Sequence, residues 1–392
     1  MKHQQGYYGV GSALRVIGGD NVLTCNLPFR LDTYLGCQHS CNYCYARYLL
    51  SFRKLWPEVP KPINVDELRS LFWRAFRRKS NSRVAWLLRK RFPLRLGADT
   101  DCFQPIERKF RVTEETLKIL NEYIYPFVIT TKSDLVAQEP YLNLIVNASG
   151  GAVVQFTIVS LDQGVLRFLE PKAPPVERRL DAAARLAEED VYVQARFSPI
   201  IPGVNSDVET VKELFREFRS VGVKDVIGEF LRYRSQIRDW IFEASNGEID
   251  LDKLFVEWGC SVKKDGRPRA NFNGYVRVPF SIRMKMYRKY KEIAKSLGLN
   301  FYVCCDGSIT INEGKNCCGT TNPELVSRYP YFRLCNSAAI STLLPLLKEK
   351  KKVTLKDVKK KTFCVDWKSY EKLWKFLKKY VKDLPIHKLV VL

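Results

Sequence analysis

Eight residues hold the densest chemistry in this chain: Cys37-Gln38-His39-Ser40-Cys41-Asn42-Tyr43-Cys44. They set three thiols at C-x3-C-x2-C spacing. Thiolates are soft ligands that suit iron–sulfur clusters and zinc. Four of them would close a cubane cluster, whereas three leave one iron open to a small molecule. Tetrahedral zinc is the competing use and wants a fourth ligand, which His39 could supply from inside the same tight loop.

A second group lies far downstream. Cys304, Cys305, Cys317, Cys318 and Cys335 place five thiols within 32 residues. Four ligands from this set could hold structural zinc or an auxiliary iron–sulfur cluster, and the spacing leaves the two open. Either would fasten the C-terminal segment to the rest of the chain, because ligand-binding energy is folding energy. Cys25 and Cys260 stand apart and read as structural thiols.

The third chemical feature is charge. From Arg69 to Arg95 there are ten basic residues and no acidic ones, with Phe72, Trp73, Phe76, Trp86 and Phe92 interleaved. Guanidinium groups suit phosphate, and aromatic rings can stack on exposed bases. Arg74, Arg77, Arg78, Arg89 and Arg91 are the candidate nucleic-acid contacts. Leu68, Phe72, Ala75 and Phe76 fall at helical spacing, so one face can pack while arginines project. Residues 348–379 carry 13 lysines against four acids, and the apolar spacing over 367–377 is helical. That tail is a second candidate phosphate-binding surface. Over all 392 residues, 65 Lys+Arg against 42 Asp+Glu give a net charge of +23, which attracts polyanions.

The remaining composition bounds the class. At 46% hydrophobic the chain can bury a sizeable core, and no apolar run reaches the length of a membrane span. Its first ten residues lack a signal-peptide pattern, so twelve cysteines point to metal or redox chemistry in a reducing cytoplasm rather than to disulfides.

Elements must deliver these groups to one place. Leu31-Asp32-Thr33-Tyr34-Leu35-Gly36 alternates like a short strand leading into Cys37. Residues 93–105 read as a strand opening into a loop, and further strands are expected at 127–133, 152–160, 191–197, 225–231 and 301–303. Helices are expected at 112–123, 138–147, 175–189, 207–221, 240–247 and 281–297, with Thr113 suiting a helix start. This alternation predicts βαβ units and a parallel sheet, about six units before residue 235. The expected fold is α/β, a partial (β/α)6 TIM-type barrel with a Cys-rich and Lys-rich C-terminal extension. Residues 1–30 read as a lead-in strap, 31–300 as the barrel with a basic-aromatic insert at 61–95, and 301–392 as the metal-binding and basic helical segment.

Leu35-Gly36-Cys37 through Cys44-Tyr45-Ala46-Arg47 resembles the cluster motif of radical S-adenosylmethionine (SAM) enzymes, in their spore photoproduct lyase-like branch. The resemblance runs with gaps from about 27 to 232. It includes Gly97-Ala98-Asp99-Thr100-Asp101-Cys102-Phe103-Gln104-Pro105-Ile106-Glu107, Thr131-Lys132-Ser133-Asp134-Leu135, Leu169-Glu170-Pro171, Pro175-Val176-Glu177-Arg178-Arg179-Leu180 and Ser198-Pro199-Ile200-Ile201-Pro202-Gly203-Val204-Asn205. Several motifs in the right order are more specific than three cysteines alone.

The resemblance implies a [4Fe-4S] cluster on Cys37, Cys41 and Cys44, SAM on the open iron, and an external one-electron reductant. It implies that Lys132 pairs with the SAM carboxylate, that Asp99 receives the ammonium and that Ser160 meets the ribose. Tyr43 and Tyr45 resemble family aromatics that pack the adenine or relay an electron. In that family a second-strand cysteine returns a hydrogen atom to the product radical. Here Gly97 and Ala98 stand there, which leaves Cys102 as a shifted donor or no donor. Three readings follow: a radical enzyme acting on a nucleic acid base, one acting on a protein or peptide, and a non-catalytic iron–sulfur or zinc protein that binds nucleic acid. Oligomeric state stays open.

Overall fold

The alternation of strands and helices is present in the computed structural model. It describes residues 7–16, 25, 27, 29–271, 274–304, 309–313, 317–318, 323–329, 332, 346–347, 349, 352–354, 357 and 389–390. Cys305, Cys335 and nearly all of the lysine-rich tail, including the helix expected at 367–377, lie outside these residues. Eight strands form one sheet whose spatial order follows the chain: β1 (Leu14–Val16), β2 (Phe29–Leu31), β3 (Leu94–Leu96), β4 (Phe127–Thr131), β5 (Ala152–Thr157), β6 (Tyr192–Ile200), β7 (Asp225–Phe230) and β8 (Asn300–Val303). β1 pairs antiparallel with β2, and every later neighbour is parallel. β1 and β8 do not pair, so the sheet is an open, partial TIM-type barrel. Part of the lead-in strap thus enters the sheet as its antiparallel edge.

Parallel neighbours require crossovers, and helices supply them. They include α1 (Tyr45–Phe52), α2 (Val65–Phe76) and α3 (Arg83–Arg89) between β2 and β3, then α4 (Val112–Glu122), α5 (Gln163–Leu169), α6 (Val176–Glu188), α7 (Val208–Ser220) and α8 (Phe280–Ser296). α7 shows why such segments are helical. Asp207 accepts the Glu209 and Thr210 N–H groups at 2.9 and 3.3 Å, and Val211, Leu214, Phe215 and Phe218 bury one stripe.

Two local expectations change. Residues 31–36 are not one strand: β2 ends at Leu31, and Tyr34–Leu35 pairs instead with Lys61–Pro62. Asp32 turns inward between them, because its carboxylate holds Arg15 and the N–H groups of Asp99 and Thr100. Thr113 does not cap α4. Buried Glu107 accepts the Thr113 and Glu114 N–H groups at the positive end of the helix, which frees the Thr113 hydroxyl for Cys102 O at 2.7 Å.

Candidate active site

The C-terminal ends of the parallel strands open on a cavity of about 280 Å³, and Cys37, Cys41 and Cys44 all line it. Asp99 reaches it from the loop after β3, Lys132 from the end of β4, and Tyr43 and Tyr45 from the cysteine loop itself. Gly36 turns the chain into that loop at φ +92°, and a Cβ there would lie 2.8 Å from Pro57 Cγ. Gly97 turns out of β3 at φ +76°, where a Cβ would meet Thr130 O at 2.2 Å. Cys44 closes the cysteine loop as the cap of α1, its Sγ accepting Arg47 N–H at 3.4 Å.

The other sequence motifs clamp this loop. Gln104 accepts Gln38 N–H at 2.9 Å and donates to Gly36 O at 3.0 Å, while Gln38 accepts Ile106 N–H at 2.6 Å. Asp101 ties three segments together. Its carboxylate accepts from Thr131 Oγ1 at 2.8 Å, from Lys132 N–H at 2.7 Å and from Phe103 N–H at 2.9 Å, and it stands 3.2 Å from His39 Nε2. His39 Nδ1 faces Lys172 O at 3.4 Å. The two ring nitrogens thus face Asp101 and Lys172 O, Nε2 without a hydrogen bond, and the ring lines the same cavity as the three cysteines. Burial would raise the Asp101 pKa, but the His39 charge and the hydrogen bonds outweigh it and hold the carboxyl at about 2.

A second clamp comes from the end of α5 and the residue after it. Asn42 donates to Phe168 O at 2.6 Å and its N–H to Leu169 O at 3.0 Å. Fully buried Glu170 takes hydrogen bonds from the Tyr43 hydroxyl and from Arg179, itself 1% exposed. Lys132 Nζ lies 5.5 Å from the centre of the Tyr43 ring. Burial lowers the Lys132 pKa, yet Cys41 and Glu170 outweigh that and push it up, so it stays a cation beside the cysteines. Burial drives all three loop thiols up, Cys41 to about 12, with Lys132 pulling Cys41 and Cys44 the other way. Three soft donors converging on one cavity fit an iron–sulfur cluster with one open iron.

Asp99 lies at the cavity, already held by Arg15 at 2.7 Å and by the Tyr45 hydroxyl at 2.9 Å. Two other sequence candidates fall outside the cavity lining. Cys102 is fully buried beneath it, next to Thr33, so its thiol does not reach the space where a radical would form. Ser160 turns its hydroxyl to Asp162 N–H at 3.0 Å at the start of α5. In the basic insert, Arg74, Arg77 and Arg78 project outward, Arg78 over the Trp73 ring at 4.6 Å. Arg89 instead donates to Ala75 O at 3.0 Å and Ser80 O at 2.8 Å, and Arg91 to Tyr123 O and Ile124 O. Both are absorbed in fixing helix ends. The counter-charges missing from this stretch arrive from α4, where Glu115 and Glu122 meet Arg69 at 3.4 and 3.2 Å.

Sequence reading missed the cavity's cationic wall. Arg30, Arg95 and Arg196 line it from β2, β3 and β6, joined by Arg47 and Arg232. Each of the three strand arginines sits between apolar residues, as in Phe29-Arg30-Leu31, Leu94-Arg95-Leu96 and Ala195-Arg196-Phe197. A lone arginine at the centre of a buried strand was the available signal. Cys304, at the end of β8, also lines the cavity.

No family model matches the chain. It is similar to an uncharacterised protein of Methanocaldococcus jannaschii, 28% identical over 181 residues, which cover 46% of this chain and 63% of that protein. An uncharacterised protein of Acidianus two-tailed virus is 24% identical over 58% of this chain and 75% of its own. One from Mycobacterium bovis is 28% identical over 55% and 62%. The match thus spans less than two thirds of the archaeal and mycobacterial relatives. Among solved structures, a spore photoproduct lyase variant with bound AdoMet and dinucleoside spore photoproduct superposes with a TM-score of 0.54 at 17% identity, covering 75% of this chain and 80% of that one. Spore photoproduct lyase complexed with the dinucleoside gives 0.52 at 16%, covering 73% and 80%. The chain thus shares the fold of spore photoproduct lyase, a partial TIM-type barrel with the cysteine loop at the C-terminal ends of its parallel strands.

Proposed function

We propose that this protein is a radical SAM enzyme acting on a base in DNA or RNA, as repair or modification. The observation that carries the reading is the convergence of Cys37, Cys41 and Cys44 with Lys132 and Asp99 on one cavity at the strand ends. When bound, the cluster and SAM together supply a 5′-deoxyadenosyl radical for hydrogen abstraction. The protein's own contribution is placement and exclusion of water. The three thiols would hold the cluster through a loop fastened by hydrogen bonds to Gln104 and Glu170 and by Asp101 behind it. Lys132 offers a point charge to the SAM carboxylate, and Asp99 offers its remaining lone pairs to the ammonium. Tyr43 and Tyr45, which both line the cavity, would pack the adenine or relay an electron.

Support for a nucleic acid substrate comes from charge. Five arginines and Lys132 line the cavity against Asp99, Asp101 and Glu229, and Arg74, Arg77 and Arg78 are exposed on the insert. A solved structure of the same fold holds a dinucleoside lesion. Nine cysteines among the described residues, none joined in a disulfide, suit a reducing cytoplasm. Among the described residues no helix is long and apolar enough to cross a membrane.

The test is anaerobic reconstitution with iron and sulfide, reduction, and assay of 5′-deoxyadenosine from SAM with Cys41→Ala as control. Deoxyadenosine lost in the control is the expected result. None from a protein with an intact cluster would refute the enzyme reading.

A further inference from the structure

Three arginines at strand centres turn into the barrel. Phe29 and Leu31, Leu94 and Leu96, and Ala195 and Phe197 all belong to the buried apolar core. The side-chain period of two therefore sends Arg30, Arg95 and Arg196 to the opposite face, where they line the cavity. Arg30 and Arg95 are direct partners in the register of β2 and β3, which sets two like charges side by side on neighbouring strands. Arg95 and Arg196 are 8% and 6% exposed. Arg95 Nε is buried without a hydrogen-bond partner, and Arg196 Nη1 donates to the neutral Gln155 Oε1 at 3.2 Å.

The carboxylates that line the cavity are engaged elsewhere. Asp99 pairs with Arg15 at 2.7 Å, Asp101 accepts two N–H groups and the Thr131 hydroxyl, and Glu229 lies 3.5 Å from Arg232. The buried thiols of Cys304, Cys317 and Cys318 lie beside Arg196 as weak acceptors, and no group of described His, Cys, Asp and Glu side chains stands as a metal site. A buried cation short of counter-charge is costly, and a bound anion relieves that cost. An oxidised cluster on the three loop thiolates would carry one negative charge and SAM one positive, so together they leave the arginines uncompensated. What fits is a further anion with several acceptor oxygens, which guanidinium forks grip two bonds at a time.

We propose that Arg30, Arg95 and Arg196 form a phosphate subsite inside the barrel, which takes the phosphodiester of the nucleotide whose base is to react. This rests on the nucleic acid reading above and narrows it. The smallest substrate carries its phosphate, so a free nucleoside or a peptide does not qualify. Arg74, Arg77 and Arg78, exposed on the insert, are left for the flanking chain.

The test uses the full chain and no radical chemistry. Thermal unfolding is followed in inorganic phosphate and in chloride at equal ionic strength, for the native protein, Arg95→Met and Arg216→Met, an exposed control on α7. Phosphate should raise the melting temperature of the native protein and the control and leave that of Arg95→Met unmoved. Arg95→Met should fold, because the change removes a buried charge and keeps an apolar stem. Binding of a trinucleotide carrying 2-aminopurine is then compared with that of its analogue with uncharged methylphosphonate links. Both are measured in a chain with Arg74, Arg77 and Arg78 changed to Ala, so that the insert does not contribute. The natural links should bind at least about tenfold tighter, and adding Arg95→Met or Arg196→Met should remove that margin and about 0.7 of log–log salt slope. A melting temperature indifferent to phosphate, equal binding of the two trinucleotides, or a margin that both arginine variants keep would overturn the inference. Phosphate protection lost in Arg95→Met, with neither trinucleotide bound, would overturn the nucleic acid reading and the phosphodiester assignment with it. Deoxyadenosine formation by the native protein tests the enzyme reading separately and does not enter these results.

Discussion

Replacing Asp101 by Asn keeps the shape of the side chain and removes the charge that joins His39, Thr131, Phe103 and Lys132. The carboxyl's drop from 3.8 to about 2 corresponds to about 2 kcal/mol of stability at neutral pH. Because the folded-state pKa is depressed, that contribution is present above the unfolded value of 3.8 and is lost as pH falls towards 2. The amide also turns one acceptor into a donor against N–H and O–H groups that already donate, which adds about 1–3 kcal/mol that overlaps the first effect. We expect Asp101→Asn to lose about 3 kcal/mol in urea unfolding at pH 7. The gap to the native protein should narrow below pH 4. Asp162→Asn, at the exposed cap of α5, serves as control and should lose no more than about 1 kcal/mol. Since Asp101 also orients the cysteine loop, iron retained after anaerobic reconstitution should fall in Asp101→Asn and not in the control. A variant within about 0.5 kcal/mol of native stability that retains full iron would refute the role given to this carboxylate.

Glu170→Gln leaves Arg179 buried without its counter-charge and should cost about 3–5 kcal/mol, whereas adding Arg179→Met should recover part of that loss; additive costs in the double-mutant cycle would contradict a coupled pair. Lys132→Met should keep its iron while the SAM concentration for half-maximal deoxyadenosine formation rises about tenfold, a loss of about 1.4 kcal/mol; unchanged SAM dependence would remove Lys132 from the SAM site. Changing Arg74, Arg77 and Arg78 together to Ala should weaken binding to an oligonucleotide and flatten its salt dependence, by about one unit of log–log slope for each phosphate no longer neutralised. Arg89→Ala should leave that slope unaltered and lower stability by about 1–2 kcal/mol, because its guanidinium bonds Ala75 O and Ser80 O.

The parallel order of the strands and the cysteine loop were legible because both are local patterns. Apolar runs of strand length alternate with helical stripes such as Val211, Leu214, Phe215 and Phe218, and C-x3-C-x2-C needs no distant partner to be recognised. The motif residues Asp101, Gln104, Glu170 and Arg179 were visible as text, but their work as clamps depends on contacts between segments dozens of residues apart. The same distance dependence redirected individual residues. Cys102 sits on a motif yet points into the core, and Arg89 and Arg91 belong to a basic stretch yet bond to carbonyls. Composition and spacing thus determined which chemistry the chain can hold, through donor type, net charge and strand rhythm. Tertiary structure alone decided which arginines and thiols share a cavity, since burial and counter-charge are properties of neighbours that sequence order does not record.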